Sequence, residues 1–462
     1  MGLRNERTTG VKGWSLRNPV VAWAMYDWAN SAYATTVMAG FFPTFFRQYW
    51  SSGAEVTVTT WRLGLANGLA GFLIAALAPI LGALADRSAR RKQFMFAWTV
   101  LGALACMAMF FVGQGQWLLA AACFVLGTLG FNGGIVFNDA LITHVAAPRD
   151  YDRVSALGYA LGYLGGGLLF ALNVTMTVKP AWFGLHNAAE AVRWSFLSVG
   201  IWWVVFSLPL MVWVREQDGA TGPGGLAASL QELRRTVRDI AGNRPLWLFL
   251  LAYWLYIDGV NTVIKMAVDF GLSLGLPASS LLAALLLTQF VAFPAAIVFG
   301  RLGERYGAKR AVLFGIGVYG ALSLYALRLA SIAEFWVLAV VVGLVQGGVQ
   351  SLSRSLFGRF VPPGRAAEYF GFYNLMGKFA TVLGPLLVGA TAALTHDSRA
   401  GISSLLLLFV SGGLLLWRVR VPQAPWSPSS TPSSLPVDAS ARGREQSPGG
   451  EGSYSNKSGG DK

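Results

Sequence analysis

The chain is poor in the residues that carry most soluble chemistry. Only 13% of its 462 residues are charged and it has three histidines and two cysteines. A soluble domain carries about 25% charged residues. The two cysteines, Cys106 and Cys123, lie inside apolar runs, so neither a disulfide framework nor a zinc spacing is available. His144, His186 and His396 are scattered and form no metal-ligand spacing. No Ser/His/Asp order, phosphate loop or metal cluster supports an enzyme, and no cofactor is expected. Alternating segments of about ten residues, the mark of a membrane barrel, are missing as well.

What the chain has is apolar length. It is 54% hydrophobic with a mean hydropathy of +0.51. Runs of roughly 18–25 apolar residues recur, each long enough to cross about 30 Å of hydrocarbon. Twelve helices are predicted at about 19–45, 62–85, 93–112, 116–138, 154–177, 193–214, 245–269, 279–300, 311–328, 333–354, 368–393 and 401–420. Backbone in hydrocarbon must satisfy its own hydrogen bonds, so these are helices rather than open sheet. The fold class is an all-α membrane protein of two six-helix, pseudo-symmetric bundles.

The net charge of +14 reads as orientation rather than nucleic-acid binding. Most of the 36 Lys and Arg fall at the termini and on the even-numbered connections between helices. The positive-inside rule then places both termini in the cytoplasm of a multi-pass protein of the cell (inner) membrane. Lys265 and Lys378 are the cations set inside helices.

The domain reading is a basic N-terminus at 1–18, a first bundle at 19–214, a linker at 215–244, a second bundle at 245–420 and a tail at 421–462. In the linker, Leu230, Leu233, Val237 and Ile240 stand at helical spacing beside Arg234, Arg235 and Arg238. This pattern predicts a short amphipathic helix on an anionic leaflet. The tail is rich in Pro, Ser and Gly and is expected to be disordered.

One motif is written twice. Gly82-Ala-Leu-Ala-Asp86-Arg87 precedes Arg90, Arg91 and Lys92, and Gly300-Arg-Leu-Gly-Glu304-Arg305 precedes Lys309 and Arg310. Helix one carries Asp27-x-x-Asn30-Ser31 and helix seven carries Asp258-x-x-Asn261-Thr262. Helices four and ten share Gly-Gly pairs at 133–134 and 347–348. Such internal repetition is typical of secondary transporters.

An acid at mid-membrane costs about 2.5–3.5 kcal/mol on insertion scales, so Asp27 and Asp258 are the leading candidates for substrate or proton binding. The alternative is a structural hydrogen bond that fixes helix packing. Asn30, Tyr33, Asn261, Asn374 and Lys378 complete the expected site. Lys378 meets a substrate carboxylate, pairs with Asp27 or Asp258 in one conformation, or snorkels to the surface. Lys265 and Asp269 stand four apart and form an outer ion pair on this reading. Gly82, Asp86, Arg87, Arg90, Gly300, Glu304 and Arg305 read as a gating hinge, with Asp139 as the nearest acid for Arg90. Gly158, Gly162 and Gly166 line one face of helix five for close packing.

With these residues in hand, the chain resembles the major facilitator superfamily over about residues 18–420. The Gly82–Lys92 segment matches the signature between helices two and three, with Ala89 in place of the usual Gly. Gly158-x-x-x-Gly162-Tyr163-x-x-Gly166-Gly167 is similar to the helix-five antiporter signature, with Tyr163 where Pro is usual. Tyr26-Asp-Trp-Ala-Asn-Ser-Ala-Tyr33, Gln346-Gly-Gly-Val-Gln-Ser-Leu-Ser-Arg-Ser355 and Tyr373-Asn-Leu-Met-Gly-Lys378 resemble a narrower family. It holds the fungal vacuolar amino-acid effluxers and bacterial "unknown major facilitator" proteins. The resemblance implies efflux of amino acids or similar small metabolites, driven by protons. The partners are then a small-molecule substrate, protons and the lipid bilayer, with no nucleic acid and no obligate protein partner. An uncoupled facilitator and a non-transporting membrane sensor or scaffold are the alternatives.

Overall fold

The computed structural model describes residues 15–88, 90–216, 226–380 and 382–422. The termini at 1–14 and 423–462, including nearly all of the tail expected to be disordered, lie outside the described residues. Among the described residues the chain is helical, and ten stretches are long and apolar enough to cross a membrane. They run from Arg91–Phe111 to Ser398–Arg418 and follow the third to twelfth predicted helices in order. Ahead of them stand two further helical stretches, residues 19–50 and Val56–Ser88.

The sequence sets the ends of these helices. Asn18 caps helix one through its side chain, with Pro19 in the first turn. Ser331 and Glu334 form a reciprocal capping box on Ile332–Gly358, helix ten. Helix one winds more loosely over Tyr33–Phe41. Helices four (Trp117–Val145) and five (Tyr151–Val178) carry the glycines that let neighbours approach closely.

Helix eleven is not continuous. It stops at Phe379 and resumes at Leu383. Both broken ends are held by helix seven, Arg244–Ser273. The linker contains a helix at Leu226–Gly242. Its Ile240 and Thr236 are buried while Val237 stays half exposed, so part of the face read as membrane-directed packs on protein. Arg365, between helices ten and eleven, ties this helix down through Asp239 at 2.7 Å and through Thr236.

The two halves meet tightly at the end that carries the even-numbered connections. A Cβ on Gly82 of helix two would lie 2.5 Å from the Ala367 carbonyl oxygen of helix eleven. A Cβ on Gly300 of helix eight (Ala278–Tyr306) would lie 2.6 Å from Ala156 of helix five. These approaches require glycine, and they bring helix two against eleven and helix five against eight.

Candidate functional site

The charged centre of the molecule lies where helices one, four, five and ten converge. Arg354 on helix ten, only 2% exposed, points out of the second half into the first. Its Nη1 donates to Asp27 Oδ2 at 3.1 Å and to Asp139 Oδ1 at 3.0 Å. Its Nη2 donates to the same Asp27 oxygen at 3.1 Å and to the Ser155 carbonyl at 2.9 Å. Its Nε donates to Ser155 Oγ at 2.8 Å. The guanidinium is thus saturated, and it lies 4.9 Å from the Trp23 ring centre and 4.4 Å from that of Tyr159.

Each acid has a further partner. Asn138 Nδ2 donates to Asp27 Oδ1 at 3.1 Å, and Trp23 Nε1 fixes the Asn138 backbone at 2.7 Å. Asn374 Nδ2 donates to Asp139 Oδ2 at 3.0 Å. Isolated buried charges are costly in a low dielectric, and mutual pairing offsets that cost. Gly158 makes room for the cluster, because a Cβ there would fall 2.3 Å from Asp27 Oδ2. Gly162 and Gly166 stand next to Ser31 on helix one, one and two turns further along.

A polar seam runs on from the cluster between helices five and ten. Tyr163 donates to Gln350 at 2.7 Å and Ser155 to the Ser351 carbonyl at 2.7 Å. Arg359 pairs with Asp152 at 2.9 Å, and Ser355 also bonds Asp152.

The second D-x-x-N pattern does something different. Asp258 accepts from the backbone N–H of Leu383 at 2.9 Å and of Gly384 at 3.0 Å, and Thr262 donates to it at 3.3 Å. Asn261 donates to the Ala380 carbonyl at 3.1 Å. One pattern therefore caps both ends of the break in helix eleven. Asp258 and Asp27 have no hydrogen-bond partner in common among the described residues.

Other expected site residues fall as follows. Asn374 joins the cluster. Lys378 places its ammonium 5.9 Å from the ring centre of Phe131 in the other half. Asn30 is buried, and its Oδ1 has no hydrogen-bond partner among the described residues. Tyr33 is buried inside the first half, bonded to the Phe124 carbonyl and Thr128 at 3.3 Å each. Glu304 and Arg305 are exposed. The side chains of Asp86, Arg87 and Asp269 lie outside the described residues.

One expectation is corrected. Asp139 does not pair with Arg90, which is exposed; its cation is Arg354, carried by the opposite half. Arg354 was legible only as part of the Ser-Leu-Ser-Arg-Ser motif on helix ten. Its partner Asp27 lies 327 residues away, a separation no periodicity reveals. Among the described residues no group of three or more His, Cys, Asp and Glu is placed to hold a metal.

The family described as "Vacuole effluxer Atg22 like" matches residues 50–425. A Bacillus subtilis protein described as an uncharacterized MFS-type transporter, YxiO, is 37% identical over 398 residues, covering 86% of this chain and 93% of that one. Autophagy-related protein 22-1 of Aspergillus niger is 30% identical over 262 residues, covering 51% of this chain; the match spans only 42% of the fungal protein. Among solved structures, the proton:xylose symporter XylE aligns over 88% of this chain and 96% of its own, with a TM-score of 0.68 and 13% identity, a likeness of fold alone. The chain is a membrane transporter of the major facilitator type and belongs to the Atg22-like vacuole effluxer family.

Proposed function

We propose that this protein exports amino acids or similar small metabolites by alternating access, coupled to protons. Its orientation is with both termini in the cytoplasm of the cell membrane. The observation that carries the reading is the single guanidinium of one half buried between two carboxylates of the other. Such a cluster is favourable only while the halves stay together at this level. It therefore gives the transporter two states that differ in the pairing of buried charges. The family's description as effluxers supports the direction. Proton coupling is supported by Asp27, whose partner can leave.

Asp258 is engaged as a helix cap and drops behind Asp27 as proton carrier. That occupation is the one observation favouring the facilitator reading, since it leaves a single strong carrier. The test uses the full chain in lipid vesicles, a panel of labelled amino acids and an imposed pH gradient. Uphill accumulation that collapses with a protonophore is expected. Asp27→Asn is expected to lose this accumulation and keep exchange at equal concentrations. Exchange unaffected by any pH gradient would establish the facilitator, and no flux of any solute would leave a sensor or scaffold.

A further inference from the structure

We infer that Lys265 of helix seven and Lys378 of helix eleven hold the carboxylate of a small, net-negative organic anion between the two halves. The inference rests on the transport reading and names the charge class of its solute: acidic amino acids and dicarboxylates, as against neutral zwitterions.

Lys265 stands seven residues after Asp258 and four after Asn261, so all three share one face of helix seven. At Asp258 that face is closed: the carboxylate is fully buried against Leu383 and Gly384 of helix eleven. About two turns further along it is open, and Lys265 is exposed inside a membrane-spanning stretch. Water reaches the side chain while protein crowds around it, as on the wall of a crevice. Lys378 comes to the same space from the last turn of the first piece of helix eleven, near enough for the two ammonium groups to repel each other. Facing it, the first half presents the Phe131 ring, which attracts a cation without neutralising it. Both halves therefore contribute to the crevice.

Two like charges side by side within membrane-spanning helices are costly unless an anion meets them. The acids that act on them are already engaged. Asp258, which acts on Lys265, accepts from two backbone N–H groups and from Thr262. Asp139, which acts on Lys378, accepts from Arg354 and Asn374. Lys265 makes no hydrogen bond or ion pair among the described residues. A carboxylate laid between two ammonium groups offers one oxygen to each, and a dicarboxylate offers one group to each. Either removes the repulsion. A neutral zwitterion carries its own ammonium into the same space and returns part of it. Preference for net negative charge follows from this difference.

The test compares solutes of matched shape and different charge: succinate against succinamide, L-glutamate against L-glutamine and L-aspartate against L-asparagine. Binding is measured by titration calorimetry on the full chain in phosphatidylcholine nanodiscs, whose lipid adds no net charge. At least one of the three acids is expected to bind about 10-fold or more tightly than its amide, and Lys265→Met and Lys378→Met are each expected to weaken it by about 10- to 150-fold, the worth of one hydrogen bond to a charged group. Lys265→Arg is expected to keep most of the affinity. Lys179→Met, which removes an exposed cation after helix five, is expected to change nothing. The inference is overturned if no acid binds more tightly than its amide, if the affinity survives both Met variants, or if inorganic phosphate binds as tightly as the acids. The acid–amide comparison uses the unsubstituted chain and decides the matter even if a variant does not fold. Flux of L-leucine and L-glutamine in vesicles, with none of the acids bound, would sink this inference and leave the transport reading standing. Lysine-dependent binding of an acid with no flux of any solute would do the reverse.

Discussion

Gly158→Ala measures how much the central clasp contributes to closure. The added methyl would sit 2.3 Å from Asp27 Oδ2, 2.8 Å from Arg354 Nη2 and 3.1 Å from the Trp23 ring. Ordinary contact needs about 3.5 Å, so the carboxylate must retreat by about 1 Å. That stretches two bonds of 3.1 Å beyond hydrogen-bond range. Hydrogen bonds to charged groups contribute about 1.5–3 kcal/mol each, and partial relaxation brings the expected loss to about that of one bond. At 1.36 kcal/mol per factor of ten, closed molecules should fall roughly 10- to 150-fold relative to separated ones. Alanine also stabilises a helix interior by about 1 kcal/mol over glycine. That gain is equal in both states, because helix five stays helical in each. Thermal stability can therefore rise while closure weakens. The readout is the distance distribution between labels at residues 149 and 306, with Gly389→Ala as control because nothing lies within 4 Å of its added Cβ. A Gly158→Ala distribution identical to that of the control would refute the reasoning.

Asp258→Ala should lower thermal stability by about 2 kcal/mol through loss of the cap on Leu383–Thr395, and Asp258→Asn by less, because one acceptor remains. An Asp258→Asn variant that keeps its stability but loses pH-driven flux would return this acid to the proton path. Single cysteines at Gly53 and Arg234, in a background without Cys106 and Cys123, should be labelled from outside and inside respectively. Labelling of both from one side would reject the orientation.

The apolar runs were plain in the sequence because hydrocarbon tolerates little else, and the third to twelfth appear in order as helices long enough to span. Asp27 was legible because a mid-membrane acid is costly. Arg354 was hidden at the edge of a run: the apolar stretch ends there, while the helix continues to Gly358 and keeps the guanidinium inside. The two D-x-x-N patterns read alike, yet their partners differ, because the pattern on helix seven meets the break in helix eleven while that on helix one meets the cluster around Arg354. Gly384 and Pro385 carried a faint signal of that break. The glycine admits the Asp258 carboxylate, and the proline needs no N–H in a first helical turn. The Arg90–Asp139 pairing failed because topology places residues near an end without saying which half supplies the partner.

The break in helix eleven also bears on how the chain is built. Its pieces have 14 and 13 residues, each about 20 Å long and too short to cross the hydrocarbon alone. Their open ends would each cost several kcal/mol in lipid. The groups that satisfy them, Asp258 and Asn261, are synthesised more than a hundred residues earlier. Helix seven is thus in place as a template before helix eleven leaves the ribosome. The same two side chains, read in the sequence as members of a binding site, supply the partners that the ends of the broken helix need.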